Sequence, residues 1–475
     1  MEMVSDNNIH LIAPSTLYNK GDAAIYVGAL NLVTQSLPNH KFSVSITGYD
    51  ERKDMNERIF NFNNVSVTQG LLDGIKDFLL KKMGPSQLLF KKRVLKREGT
   101  QSEYSRDTRS YLNNFYREFR LFRYWQMPFI ISNVIKKLDM AQEPFDSIRT
   151  SQAAVILGHN LSTSVLPDCL LSYSIPKLTF QKKTVIFPIS VSQFPYSPNK
   201  STNKLMEHLT RCILEKMNSI FLRESYSFES LRNRLNVRNN NVFFGADTAF
   251  LLPKEKAHKV LDKIKNQGIE LEKPAFAVTI RGRDYFKVHR NQIMVDYYSF
   301  ISNFARALDI LIKKLGVSIY FVPMTMLRPN GLDEYDYHGC LRILNEMKLK
   351  QNANIINTWD FTPSEIATLL EQMEFVVTMR LHQMITASTV NVPSVLILPS
   401  QEIKALGILQ EVGLIDYFVN AGAHPSNLYK NILKKAIKGY ENRDLLSDKI
   451  KSRLPSIKER IFVTGKILHS LVMDT

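Results

Sequence analysis

The 475-residue chain is predicted to be an α/β protein built on parallel sheets. Short runs rich in Val, Ile and Phe alternate with helical patterns over most of its length. The runs are continuously apolar, as strands covered by crossover helices on both faces require. The pattern occurs in two halves, separated by the charged stretch Leu251–Lys273, so two lobes are expected.

In chain order, the first half predicts strands at Ile9–Ala13, Phe42–Thr47, Ala153–Leu157, Thr184–Ile189, Ser219–Leu222 and Val242–Phe244. Helical spacing marks Ala23–Ser36, Asn203–Met217 and Ser227–Leu235 between them. The second half predicts strands at Phe276–Ile280, Ser318–Pro323, Ile355–Thr358, Phe375–Thr378 and Ser394–Leu398. Its helices are Val295–Leu315, Tyr335–Met347, Pro363–Gln372, Met384–Val390 and Lys404–Val412. Thr362-Pro363-Ser364-Glu365 is a helix start: a capping threonine, proline at the first position, then an acid in the first turn. The expected lobes are residues 1–252, interrupted by a basic insertion at 76–127, and 253–424. A lysine-rich helical tail, 425–475, follows and is expected to pack back across the first lobe.

Composition narrows the function. A hydrophobic share of 44% and a charged share of 23% are those of a globular protein. Cys169, Cys212 and Cys340 are far apart and form no CxxC pair, so neither a disulfide framework nor a zinc site is expected. The longest apolar runs, Val392–Pro399 and Met127–Ile135, fall far short of the ~18 residues that span a bilayer. No signal peptide is read at the start, and a cytoplasmic location is expected. The net charge of +17 is the unusual number. Much of it lies between Lys76 and Arg123, where Lys and Arg interleave with Leu, Phe and Trp125. That mixture suits either peripheral contact with anionic membrane or a solvated helical insertion. Zinc-finger and RNP signatures are absent, so nucleic acid is not an expected partner.

Ligands of open α/β sheets bind beyond the carboxyl ends of strands, near helix N-termini. After the first strand comes Asn19-Lys20-Gly21-Asp22, where Gly21 permits close approach and Asp22 can cap the helix or accept from a sugar hydroxyl. Neither GxxxxGK[ST] nor GxGxxG is present. After Phe375–Thr378 come Arg380, Leu381 and His382 at the start of a helix. A guanidinium and an imidazole beside exposed N–H groups form an anion cradle, and the imidazole can also move a proton near neutral pH. Arg281 follows the first strand of the second lobe, and Lys404 follows its last predicted strand. Arg223-Glu224 follows Ser219–Leu222 as either a site arginine or a buried ion pair; Asp247 follows Val242–Phe244.

These segments, in this order, resemble the polysaccharide pyruvyl transferase family. Asn19 to Ile25 is similar to the family's opening motif. Arg223-Glu224 with Ser227 and Leu231 is similar to its Arg-acid-x-x-Ser-x-x-x-Leu element. Gly245 to Phe250 resembles its Asp-Pro-Ala-Phe strand end, and Val376 to His382, continuing through Asn391-Val392-Pro393 to Lys404, matches most strongly. The resemblance implies two Rossmann-like lobes of GT-B type with the site between them. It implies phosphoenolpyruvate as co-substrate, no cofactor or metal, and two hydroxyls of a sugar or lipid-linked saccharide as acceptor, giving a pyruvate ketal. On that basis Arg281, Arg380, Leu381, Arg223 and Lys404 are expected on the donor side. Asn19, Gly21, Asp22, His159 and Asn160 are expected on the acceptor side, with His382 and Asp22 as the catalytic pair. The chain departs from the family at Gly158-His159-Asn160-Leu161 and at Pro188 to Gln193, in the lobe expected to hold the acceptor. Two alternatives stay open at this point: a GT-B glycosyltransferase using a nucleotide sugar, and a non-catalytic membrane-associated scaffold.

Overall fold

The computed structural model describes residues 7–14, 19–46, 58–60, 64–69, 145–158, 160–161, 172–191, 200–288, 292–326, 335–400 and 402–474. The insertion 76–127 and His159 lie outside the described residues.

In the first lobe, β1 (Asn8–Ala13), β2 (Lys41–Ile46), β3 (Val65–Gln69), β4 (Ala153–Ile156), β5 (Asn160–Leu161), β6 (Lys183–Val191), β7 (Ser219–Leu222) and β8 (Val242–Phe244) form one sheet. Its order is β3-β2-β1-β4-β6-β7-β8, with β5 beside β6, and the pairings are parallel. The helices are α1 (Lys20–Ser36), α2 (Phe145–Thr150), α3 (Lys200–Leu214) and α4 (Ser225–Glu229). Alternate residues of a strand serve opposite faces: Leu11, Val155 and Phe187 belong to one apolar cluster, while Ile12, Ile156 and Ile186 belong to another.

The second sheet contains β9 (Ala275–Thr279), β10 (Ser318–Phe321), β11 (Ala353–Ile355), β12 (Phe375–Thr378), β13 (Ser394–Leu398) and β14 (Phe418–Asn420). Its order is β11-β10-β9-β12-β13-β14, again parallel. Its helices are α5 (Ala257–Lys265), α6 (Arg283–Val288), α7 (Tyr297–Leu315), α8 (Asp336–Glu346), α9 (Pro363–Glu371), α10 (Leu381–Thr389) and α11 (Ile403–Val412). The Thr362 cap predicted for α9 is a full capping box with Glu365. Strands β3, β5 and β14 and helices α2, α5 and α6 were not predicted from the sequence. The supposed linker Leu251–Lys273 contains α5, a charged helix that buries Val260 and Ile264 one turn apart.

Both sheets are doubly wound, so strand order reverses between β1 and β4 in one and between β9 and β12 in the other. The helices that follow β1 and β12 meet at their N-termini. Lys20 N donates to Met324 O at 2.9 Å, and Asn19 bridges Thr325 in antiparallel fashion. The buried Lys20 Nζ reaches Trp359 O at 3.1 Å. Helix α1 also lies tightly on the turn Thr248–Leu251: a Cβ at Gly28 would fall 1.9 Å from Thr248 O.

The tail is α12 (Pro425–Glu441) and α13 (Arg443–Met473). Helix α13 returns to the first lobe, where Gly465 packs against Leu32 and Ser36, and Lys183 Nζ donates to Leu471 O at 2.7 Å.

Candidate active site

Strands β9 and β12 are paired with Thr279 opposite Thr378, so the chain leaves both strands at the same level. Arg281 and Arg380 therefore emerge side by side. Arg281 donates from Nε to Met379 O at 3.2 Å, and its guanidinium lies 4.5 Å from the Tyr285 ring centroid. Its burial, and the Arg380 charge beside it, hold the Arg281 guanidinium below its usual range. Arg380 is the N-cap of α10. Its Nε and Nη2 grip Asp336 of α8 at 2.8 and 2.5 Å. Asp336 is fully buried and also accepts from Met324 N and Thr325 N. Arg380 is thus fixed in orientation by a fork-on-carboxylate pair. Its Nη1 meets no acceptor among the described residues.

No side chain caps α10; Gln383 N bonds to Arg380 O at 3.1 Å, while the N–H groups of Leu381 and His382 meet no acceptor among the described residues. There His382 faces Gly21. A Cβ at Gly21 would lie 2.7 Å from His382 Cβ and 2.8 Å from Nδ1. The close approach that Gly21 permits is that of the imidazole, and it brings the N-terminus of α1 onto that of α10. Helix α1 begins at Lys20 and is capped by Asn19, whose Oδ1 accepts from Gly21 N at 3.0 Å. Asp22 is therefore not the cap as expected. It sits in the first turn, half-buried, and accepts from Asn19 Nδ2 at 3.2 Å.

Beneath His382 lies a buried charged group. Asp247 Oδ2 is 3.5 Å from His382 Nε2, too far for a well-formed hydrogen bond, and receives Arg223 Nη1 at 2.6 Å. Burial alone would raise the Asp247 carboxyl, but Arg223, His382 and the Ala249 N–H outweigh it and hold it far below the carboxylate range. Arg223 does not pair with its neighbour Glu224 in the manner the sequence suggested; its buried salt bridge is to Asp247, and its Nε donates to Ser190 Oγ at 3.0 Å. Glu224 instead accepts from Ser190 and Ser227, and burial raises its carboxyl.

Asn19, Gly21, Asp22, Arg223, Arg281, Arg380, Leu381, His382 and Lys404 line one cavity of about 100 Å³. Ile25, Met324, Leu398 and Glu402 complete it, with Glu402 Oε2 3.4 Å from Lys404 Nζ. Nine residues chosen from sequence thus converge. Asn160 lies in β5 opposite Ser190. A larger open groove of about 780 Å³ runs along α13 beside Thr389 and Asn391, away from the strand ends where ligands of this fold bind.

The sequence missed Asp336, Tyr285 and Glu402. Tyr285 had a signal, standing four residues after Arg281. Glu402 also had one, standing two residues before Lys404, whereas Asp336 had none, since only packing brings it to Arg380.

Two doubly wound lobes with an anion-attracting cavity between their strand ends define the GT-B-like class. Solved structures agree at the level of fold. TcCGT1 in complex with UDP is 11% identical with a TM-score of 0.54, covering 98% of this chain and 99% of that one. A putative UDP-N-acetylglucosamine 2-epimerase from Listeria monocytogenes is 11% identical at a TM-score of 0.51, covering 93% and 90%. UDP-GlcNAc 2-epimerase from Neisseria meningitidis, bound to UDP-GlcNAc, is 9% identical at 0.51, covering 98% and 100%. No curated protein matches the chain. Within that class the sequence is specific: the polysaccharide pyruvyl transferase profile matches residues 19–401, and the chain belongs to that family. It is a transferase of polysaccharide type. Among the described residues no helix is long and apolar enough to cross a membrane.

Proposed function

We propose that the chain transfers the pyruvyl group of phosphoenolpyruvate to two hydroxyls of one sugar, in a cell-surface polysaccharide or its precursor, forming a pyruvate ketal. The observation that carries this reading is that the guanidiniums at the ends of β9 and β12 line one cavity with His382 at a helix N-terminus. Phosphoenolpyruvate carries a carboxylate and a phosphate on a three-carbon frame. Two fixed arginines and the N-terminus of α10 suit two anionic groups held a few ångströms apart. The cavity of about 100 Å³ is small beside the roughly 300–1,000 Å³ of sites for drug-sized ligands, which favours a compact donor over a nucleotide sugar.

In the proposed sequence, His382 as imidazolium gives a proton to the methylene carbon, and Asp247 beneath it steadies the charged ring. The first sugar hydroxyl attacks the resulting cationic carbon and loses its proton, with Asp22 placed to accept it. The carbon–oxygen bond to phosphate then breaks, inorganic phosphate leaves, and the second hydroxyl closes the ketal, its proton passing to the now neutral His382 and restoring the imidazolium. Arg281 and Arg380 neutralise the departing phosphate; Arg223 and Lys404 add positive charge to the donor side, while Asn19 and Gly21 shape the acceptor side. The protein as a whole is read as cytoplasmic, with peripheral membrane contact through the insertion 76–127.

The test offers the protein phosphoenolpyruvate and UDP-sugars separately, each with cell-envelope saccharides. Release of phosphate from phosphoenolpyruvate, with label recovered in the saccharide, is expected. Release of UDP instead establishes the glycosyltransferase alternative. Binding to anionic vesicles without turnover of either donor establishes the scaffold. His382→Ala is expected to lower turnover at least ~100-fold; near-normal turnover removes His382 from the proton transfer.

A further inference from the structure

Helix α13 lies beyond the family-matched segment 19–401, yet one of its residues touches the loop that carries Asp247. Arg460 donates from Nε to Gly245 O at 3.2 Å. Its guanidinium lies 4.9 Å from the centroid of the Phe244 ring. Its Nη2 lies 2.9 Å from Glu411 Oε2 on α11, an ion pair whose angle falls short of a hydrogen bond. One side chain thus ties the end of β8, in the first lobe, to α11 in the second. Thr464, one turn further along α13, bears on the same point: a Cβ on Gly245 would meet its Oγ1 at 3.3 Å and Pro188 Cγ at 3.2 Å. Two residues after Gly245 stands Asp247, which holds Arg223 and underlies His382.

We propose that Arg460 is a positioning residue, fixing the Phe244–Asp247 loop and, through Asp247, the orientation of His382 and Arg223. Three contacts of different kinds, to a carbonyl, a ring and a carboxylate, define its guanidinium plane, and only a planar fork satisfies all three. Movement of the loop carries Asp247 with it, because Asp247 is separated from the clamped carbonyl by a single residue. A displacement of about 1 Å at a reacting group can cost roughly 100-fold in rate. The ion pair is itself poised. Burial pushes the Glu411 carboxyl up to about 7, against the pull of Arg460, and the neighbouring Glu224 and Asp247 carboxylates add to the rise. The contacts of Arg460 to Gly245 O and to the Phe244 ring do not involve Glu411.

The consequence for turnover rests on the donor reading above; the geometric claim does not. The experiment compares wild type with Arg460→Ala and Arg460→Lys in the full chain. Phosphate release from phosphoenolpyruvate gives kcat and KM. Carbon-13 histidine ring resonances, assigned by the signal lost in His382→Ala, report the imidazole without any substrate. For R460A, kcat is expected to fall at least ~10-fold with KM changing less, and the His382 resonances should move. R460K keeps the charge but cannot span carbonyl, ring and carboxylate together, so it should recover kcat only in part. A folded R460A with wild-type kcat and unmoved His382 resonances overturns the proposal. If R460A does not fold, R460K decides, and full wild-type behaviour in R460K overturns it equally. A wild type that consumes no phosphoenolpyruvate refutes the donor reading alone, and the His382 resonances still decide the role of Arg460.

Discussion

Replacing Gly21 by alanine tests the site without removing a charged or polar group. The added methyl would sit 2.7 Å from His382 Cβ, 2.8 Å from Nδ1 and 2.9 Å from Cγ. Carbon atoms in contact settle at roughly 3.5–4.0 Å, so the imidazole must retreat by about 1 Å. Gly21 has no positive φ, so the alanine backbone itself is unstrained. Overpacking of this kind costs about 1–3 kcal/mol, partly offset by the gain of up to about 1 kcal/mol when alanine replaces glycine in a helix. Stability should therefore fall by no more than about 3 kcal/mol, the upper figure from those two ranges. Turnover is far more sensitive: a misplacement of about 1 Å is worth roughly 100-fold. Phosphate release from phosphoenolpyruvate gives kcat, and urea unfolding gives stability. A folded Gly21→Ala variant with wild-type kcat would refute the idea that His382 must hold its present place.

Two further outcomes follow from buried carboxylates. Asp336→Asn removes the charge that fixes Arg380, so kcat/KM for phosphoenolpyruvate should drop by about 100-fold. Urea unfolding should show a loss of about 3 kcal/mol, since breaking a buried pair from one side is costly; unchanged kinetics would show that Arg380 needs no such anchor. Glu411 supplies a pH dependence. Its carboxyl lies near 7 when folded against an ordinary value of 4.5, so between those values the folded chain holds a proton that the unfolded chain has released. Its contribution to stability is therefore complete below about pH 4.5 and is lost as pH rises through about 7, by up to about 3 kcal/mol. Glu411→Gln cannot ionise, so the variant should gain on wild type between pH 5 and pH 8 in parallel unfolding curves. Parallel pH profiles for the two proteins would count against a proton held there.

Much of the fold was visible in the chain because strands covered on both faces must be apolar throughout. Ala153–Ile156 and Phe375–Thr378 lie fully inside, and their sequences show it. Short edge strands lack that imprint: β3 lies at one rim of its sheet and β14 at the rim of the other, and both escaped notice. Charge misled at α5, where lysines on the outer face hid the buried pair Val260 and Ile264. The site was legible to the extent that strand ends are. Arg281, Arg380 and His382 each follow a strand directly, and strand register alone brings the two arginines together. Asp336 stands 44 positions from Arg380 and follows no strand directly, so nothing local marks it as a partner. Arg223 shows the reverse problem, since its neighbour Glu224 offered a plausible mate and the true one, Asp247, lies a strand away.

The hydrogen bond from Lys20 N to Met324 O ties together segments from separate sheets. Its amide can meet solvent deuterium only when the halves of the molecule part, whereas amides within β1 or β9 are shielded by their own sheets. The exchange rate at this one position therefore measures how often the cleft opens. Because the cavity is lined from both sheets, any ligand it captures against both should slow that exchange in proportion to its occupancy.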